Sequence, residues 1–145
     1  ARVWNATTFL EVKTLEHGGG VNSAVFSPDG KRILTASGDK MAHVWDADTF
    51  QELKTLKGHG GGVESAVFSP DGKRVLMVFD DRTARVWNAT TFQEVKTLRG
   101  HDGFVFSAVF STDGKRVLTA SSDETARVWD AETGQALRTL EGHLA

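Results

Sequence analysis

The chain has no cysteine, so it holds no disulfide framework, no thiol nucleophile and no zinc site built on thiolates. It has two prolines against 15 glycines. That balance fits many tight turns and does not fit a proline-rich disordered chain. No apolar run approaches the ~18 residues that a membrane-spanning helix needs. An excess of one charge is also missing. Lys and Arg number 17 and Asp and Glu 19, a formal net charge of -2. This is too little for a basic field that captures nucleic acid, and it makes no acidic tail. The opening residues Ala1-Arg2-Val3-Trp4 do not read as a signal peptide. With the missing cysteine, this gives a cytoplasmic location as the expectation. What is present is ordinary: 145 residues, 39% hydrophobic and 25% charged, enough for the core of one domain.

The informative feature is self-similarity. Ala1-Arg2-Val3-Trp4 returns as Ala42-His43-Val44-Trp45, Ala84-Arg85-Val86-Trp87 and Ala126-Arg127-Val128-Trp129, with tryptophan spacings of 41, 42 and 42. The first interval is short because Leu56-Lys57-Gly58-His59 and Leu98-Arg99-Gly100-His101 are matched by Leu15-Glu16-His17, one glycine shorter. Within one period, residues 63–68, 74–79, 83–87 and 93–98 form short runs suited to strands. They are separated by Ser69-Pro70-Asp71-Gly72, Asp80-Asp81 and Asn88-Ala89-Thr90-Thr91, which are turn sequences. No stretch between turns reaches the ~12 residues of an independent helix. Each period therefore reads as a four-stranded antiparallel sheet with apolar residues on both faces, Val67 and Phe68 being adjacent. Stacking such sheets radially covers both faces and makes a β-propeller.

At this point the sequence resembles the WD40-repeat family, over its whole length. The residues that carry the resemblance are Gly58-His59 and Gly100-His101, the Ser-Pro-Asp-Gly turns at 27–30 and 69–72, Asp39, Asp81 and Asp123, and the Trp-Asp pairs Trp45-Asp46 and Trp129-Asp130. Trp4-Asn5 and Trp87-Asn88 are variants of the last. The expected fold is an all-β, WD40-type propeller arc of four-stranded antiparallel blades with about 14 strands. It is one repeat domain over 1–145, with a half blade at 1–15 and blades at 16–57, 58–99 and 100–145. The near-copies suggest recent duplication or an engineered set of repeats.

Each repeat holds His, Asp and Trp at fixed offsets, and two of the three add Thr: His17, Thr35, Asp39 and Trp45 in the first, His101, Thr119, Asp123 and Trp129 in the third. The middle repeat has His59, Met77, Asp81 and Trp87. Three copies argue against one poised catalytic site. The resemblance implies a hydrogen-bond chain in each blade, from Trp N–H to hydroxyl to His to Asp. Met77 breaks it in the middle blade or leaves it to water. Phe79, where the sister repeats have Ser37 and Ser121, is either compensating packing or a hydrophobic contact. The three histidines lie one per blade and cannot converge on one ion. His43 reads as part of a solvated strand face. Gly18-Gly19-Gly20 and Gly60-Gly61-Gly62 read as interblade loops rather than phosphate cradles. No cofactor is expected.

Positions that differ between matched repeats are candidate partner contacts. Gly20 and Asn22 become Gly62 and Glu64, then Phe104 and Phe106. Lys40 becomes Arg82, then Glu124. Phe104 and Phe106 suit either a binding anchor or packing on a neighbouring blade. The resemblance implies a non-catalytic scaffold for protein–protein interaction; the competing class is a ligand-binding or enzymatic propeller with a site in the central channel. Among the first strands, Asn22 and Glu64 are the only unmatched polar residues, which favours the scaffold. Fourteen strands make three and a half blades, short of the family's rings of about seven. Self-assembly into a closed ring is therefore expected, as a homodimer with eight blade positions, since a two-fold axis along the channel needs an even count. Four periods of 42 exceed the chain by 23 residues. That is the length of one first-plus-second-strand hairpin, which either precedes residue 1 or comes from a partner chain.

Overall fold

A computed structural model describes residues 1–58 and 61–142. The turns punctuate the chain as their chemistry requires. In each repeat a serine opens the first turn: Ser27, Ser69 and Ser111 donate to Asp29, Asp71 and Asp113 at 2.6, 2.7 and 2.6 Å. Gly30, Gly72 and Gly114 close it at φ of 71°, 73° and 71°, a backbone region that disfavours a Cβ. Short strands between such turns have only their sequence neighbours to pair with.

Fourteen strands result among the described residues. β1 (Arg2–Trp4) and β2 (Glu11–Thr14) form a two-stranded sheet. The first blade is β3 (Val21–Phe26), β4 (Arg32–Ser37), β5 (Met41–Asp46) and β6 (Glu52–Lys57). The second is β7 (Val63–Phe68), β8 (Arg74–Phe79), β9 (Ala84–Asn88) and β10 (Glu94–Leu98). The third is β11 (Val105–Phe110), β12 (Arg116–Ser121), β13 (Ala126–Asp130) and β14 (Ala136–Leu140). All pairings are antiparallel and run in sequence order within each sheet. The all-β blade architecture expected from the repeats is thus observed.

The blades stack face to face. β3 and β4 lie on β7, and β7 and β8 lie on β11. Leu34, Val44 and Leu56 of the first blade meet Val63, Val75, Met77 and Phe79 of the second. Leu76, Val86 and Leu98 of the second meet Val105, Val117 and Trp129 of the third. The two-stranded sheet packs Ala1, Val3 and Leu15 on Ile33 and Trp45. Arginines reinforce the junctions: Arg32 donates to the Ala89 carbonyl at 2.6 Å and Arg74 to the Ala131 carbonyl at 3.0 Å. One irregularity recurs. The register of each first strand slips between Val21 and Ser23, Val63 and Ser65, and Val105 and Ser107. Asn22, Glu64 and Phe106 are the extra residues, and a bulge residue is left out of the ladder and re-aimed.

Leu76 is enclosed by the second junction, so Leu76→Ala should cost about 2–5 kcal/mol, measured as a fall in the urea midpoint. A loss within experimental error would show that this junction does not hold the arc.

Candidate functional site

The polar chain is complete in the third blade. Trp129 Nε1 donates to Thr119 Oγ1 at 2.9 Å, His101 Nε2 meets the same oxygen at 2.7 Å, and His101 Nδ1 meets Asp123 Oδ2 at 2.8 Å. The chain ties the loop before β11 to β12, β13 and the turn between them. A buried indole N–H and imidazole need partners, and here each finds one. Asp123 also accepts from the Thr125 hydroxyl at 2.6 Å and from the backbone N–H of Asp102 and Thr125. Desolvation acts to raise its carboxyl, but the bonds from Thr125 and His101 outweigh it and hold the group well below the usual carboxylate range. The Thr119 hydroxyl is buried and bonded on both sides. It has no access to a substrate, so the arrangement binds the blade together rather than presenting a nucleophile.

The first blade departs from this pattern. Trp45 Nε1 reaches Thr35 Oγ1 at 3.1 Å and His17 Nε2 reaches it at 2.7 Å. His17 Nδ1, however, turns to its own Leu15 carbonyl at 2.9 Å, and the expected His17–Asp39 link is not made. Two sequence changes explain it. The segment before His17 lacks a glycine, and His43 occupies the arginine position of β5. The expectation that His43 sits on a solvated face is overturned as well: His43 is buried, with Nδ1 2.8 Å from Glu52 and Nε2 3.2 Å from Asp39. Both nitrogens face acceptors, so both donate when the ring is doubly protonated. Burial lowers the His17 pKa. The Asp39 carboxyl, raised by desolvation, ends below its ordinary value through its bonds to His43 and the Met41 N–H. Glu52 is lowered by His43 and Thr55.

In the second blade Met77 stands where the sister blades have threonine, and Trp87 Nε1 is buried without a partner among the described residues. His59 lies outside them. Asp81 accepts from Arg85 at 2.6 Å and from the Thr83 hydroxyl at 2.6 Å. The same guanidinium lies 3.7 Å from Glu94 and 4.8 Å from the centre of the Phe79 ring. Phe79 is fully buried, which removes it from the candidate partner contacts and makes it packing. Arg85 and Glu52 belong to the polar system and were not singled out from sequence, and His43 joins them although it was read there as part of a solvated face. The signal was the residue two before each tryptophan, which is Arg85, Arg127 or His43.

Of the remaining candidates, Lys40, Arg82 and Glu124 are exposed, one per blade, all with left-handed backbone at φ of 72°, 69° and 67°. Asn22 donates to the Val63 carbonyl at 2.9 Å and so bridges two blades. Glu64, Phe104 and Phe106 are exposed and gather in one cleft between the second and third blades. No group of three or more His, Cys, Asp or Glu able to hold a metal occurs among the described residues.

Blades of four antiparallel strands, stacked face to face and stitched by Trp-centred polar chains, define a propeller arc. The WD domain, G-beta repeat family matches residues 9–46, 50–88 and 92–130, most of the chain, and the chain belongs to the WD40-repeat family. No curated protein matches it.

Two outcomes follow from the polar chains. Met77→Thr gives Trp87 an acceptor and should stabilise the protein by up to ~1 kcal/mol, less whatever the smaller side chain leaves empty; a clear fall in melting temperature would show that the methionine's packing outweighs the bond. The second concerns acid. Asp123 has a lowered pKa in the folded state, so its contribution is present above the unfolded value of about 4 and is lost as pH falls below it. Asp123→Asn should therefore flatten the decline of the urea midpoint with acidification below about pH 5. A variant with the same decline as the parent would place the acid sensitivity elsewhere.

Proposed function

We propose that the chain is a non-catalytic propeller scaffold for protein–protein interaction whose ring is closed by a second copy. WD40 repeats generally serve as protein-interaction scaffolds, and the internal packing supports the finer reading. The observation that carries it is one position in three environments: Leu34 is 0% exposed, Leu76 1% and Leu118 42%. The first two are covered by the next blade, and the third looks into an open apolar cleft of about 350 Å³ with Val109, Val128 and Leu140. The other end of the arc is complementary. Trp4 is 54% exposed where its counterpart Trp129 is 2%, and Phe9 and Phe26 are exposed as well. Trp87 and Trp129 face the preceding blade at the two internal junctions, and the exposed Trp4 of another copy offers the third-strand part of that matching surface. The contact is head to tail, so it propagates or closes; with each half blade taking one position, two arcs of three blades and a half blade close at eight positions.

Burial at this junction should couple folding to association. Light scattering on the folded 145-residue chain should give a dimer, with a melting temperature that rises with concentration. Leu118→Lys should yield monomer, because it places a charge at the centre of the junction. A soluble parent monomer with concentration-independent melting would rule the proposal out; a trimer would retain the junction and discard the eight-position ring.

A further inference from the structure

We propose that the cleft between the second and third blades binds a basic side chain of a partner protein; this rests on the scaffold reading and supplies the partner's chemistry. The cleft, about 260 Å³, is lined by Glu64, Asp80, Phe104, Val105 and Phe106. Four of these five are positions at which the repeats differ. Glu64 and Phe106 answer to Asn22, Phe104 to Gly20 and Gly62, and Asp80 to Gly38 and Ser122. They lie on β7, on the turn after β8 and at the start of β11, so variation scattered along the chain converges on one place.

The bulge explains why these side chains are available. Glu64 and Phe106 are the extra residues of their strands, set outside the ladder. At the preceding junction the bulge residue is Asn22, whose amide donates across to the Val63 carbonyl. A carboxylate cannot donate, so Glu64 cannot repeat that bond to Val105. Neither Glu64 nor Asp80 has a side-chain hydrogen bond or ion pair among the described residues, and no cation lines the cleft. Phe104 and Phe106 are 53% and 65% exposed. At the sister positions only Gly20, Gly62, Asn22 and Glu64 occur, so these rings are not a framework requirement.

The ligand class follows from this lining. Carboxylates without counter-ions attract a cation, and aromatic faces attract the same cation. A purely apolar ligand would cover the rings but strip water from two carboxylates, which is unfavourable. An anion is repelled. Lysine and arginine combine a charged head with an aliphatic stem that packs on rings. All lining residues belong to neighbouring blades of one chain, so the site is complete without ring closure.

The test is a titration of the folded chain with acetyl-Gly-Lys-Gly-amide, acetyl-Gly-Arg-Gly-amide and the neutral acetyl-Gly-citrulline-Gly-amide, followed by backbone amide chemical shifts. The basic peptides should give saturable shifts at Glu64, Asp80 and residues 104–106, with dissociation constants around millimolar, and citrulline should bind about tenfold more weakly. The pair of reversions Glu64→Asn and Phe106→Asn, which install the first repeat's residue, should weaken basic-peptide binding by about tenfold or more. Light scattering of the same samples reads ring closure separately and should not change. Equal binding of citrulline, shifts that persist in the reverted protein, or no saturable shift would each overturn the site while leaving the assembly result intact.

Discussion

The constraint that governs this molecule is that each sheet is apolar on both faces. A four-stranded blade of this composition cannot stand in water, and its neighbour is part of its own core. The clusters show this directly. Leu34 and Val44 belong with Val75 and Met77 of the next blade, and Leu76 and Val86 with Val117 and Trp129 of the one after. Stability is therefore a property of junctions. Leu118 holds the position of Leu34 and Leu76 without a following blade among the described residues, and it is exposed where they are buried.

Against that packing the Trp-centred chains are a secondary term, and the three blades measure how secondary. Only the third blade has the full sequence of bonds from Trp129 to Asp123. The first reroutes its aspartate to His43, and the second abandons the hydroxyl altogether and leaves an indole N–H without a partner among the described residues. Yet all three sheets share one strand order and register. The magnitudes agree with this. A hydrogen bond nets ~1 kcal/mol, and one buried leucine or phenylalanine contributes ~1.5–3 kcal/mol. The second blade shows the exchange in its residues: Met77 and Phe79 bring apolar volume where the sister blades have Thr and Ser, and Arg85 lies over the new ring.

Much of this was legible in the sequence, because the signals are local and repeated. Turn residues at fixed offsets define strand ends, and a period of 42 residues admits four short strands. The misreadings have physical causes. Alternation along β5 says which way His43 points but not what flanks it. Its burial comes from Glu52 across the ladder and Asp39 in the turn, two acceptors that converge only once the strands pair. The loss of one glycine before His17 shows in the alignment of repeats, but its consequence, a ring that bonds its own backbone, depends on geometry. The left-handed backbone of Lys40, Arg82 and Glu124 was invisible for another reason. That conformation is read from glycine and asparagine, and here long charged side chains adopt it.

The same geometry separates what must be kept from what is free to vary. Residues in the second and third strands of the first two blades are buried on both faces, so a change there disturbs a junction. The residue at each first-strand bulge lies outside that alternation, although Asn22 uses its amide to bond across a junction. Asn22, Glu64 and Phe106 are an amide, an acid and an aromatic at one structural position, and the strands around them keep the same register. The left-handed residue of each second turn behaves likewise, as Lys40, Arg82 and Glu124. Charge and shape at these positions can change from blade to blade without cost to packing, and the positions recur once per period on every blade. A scaffold built this way gains chemical variety at its bulges and turns while its strand order and register stay uniform.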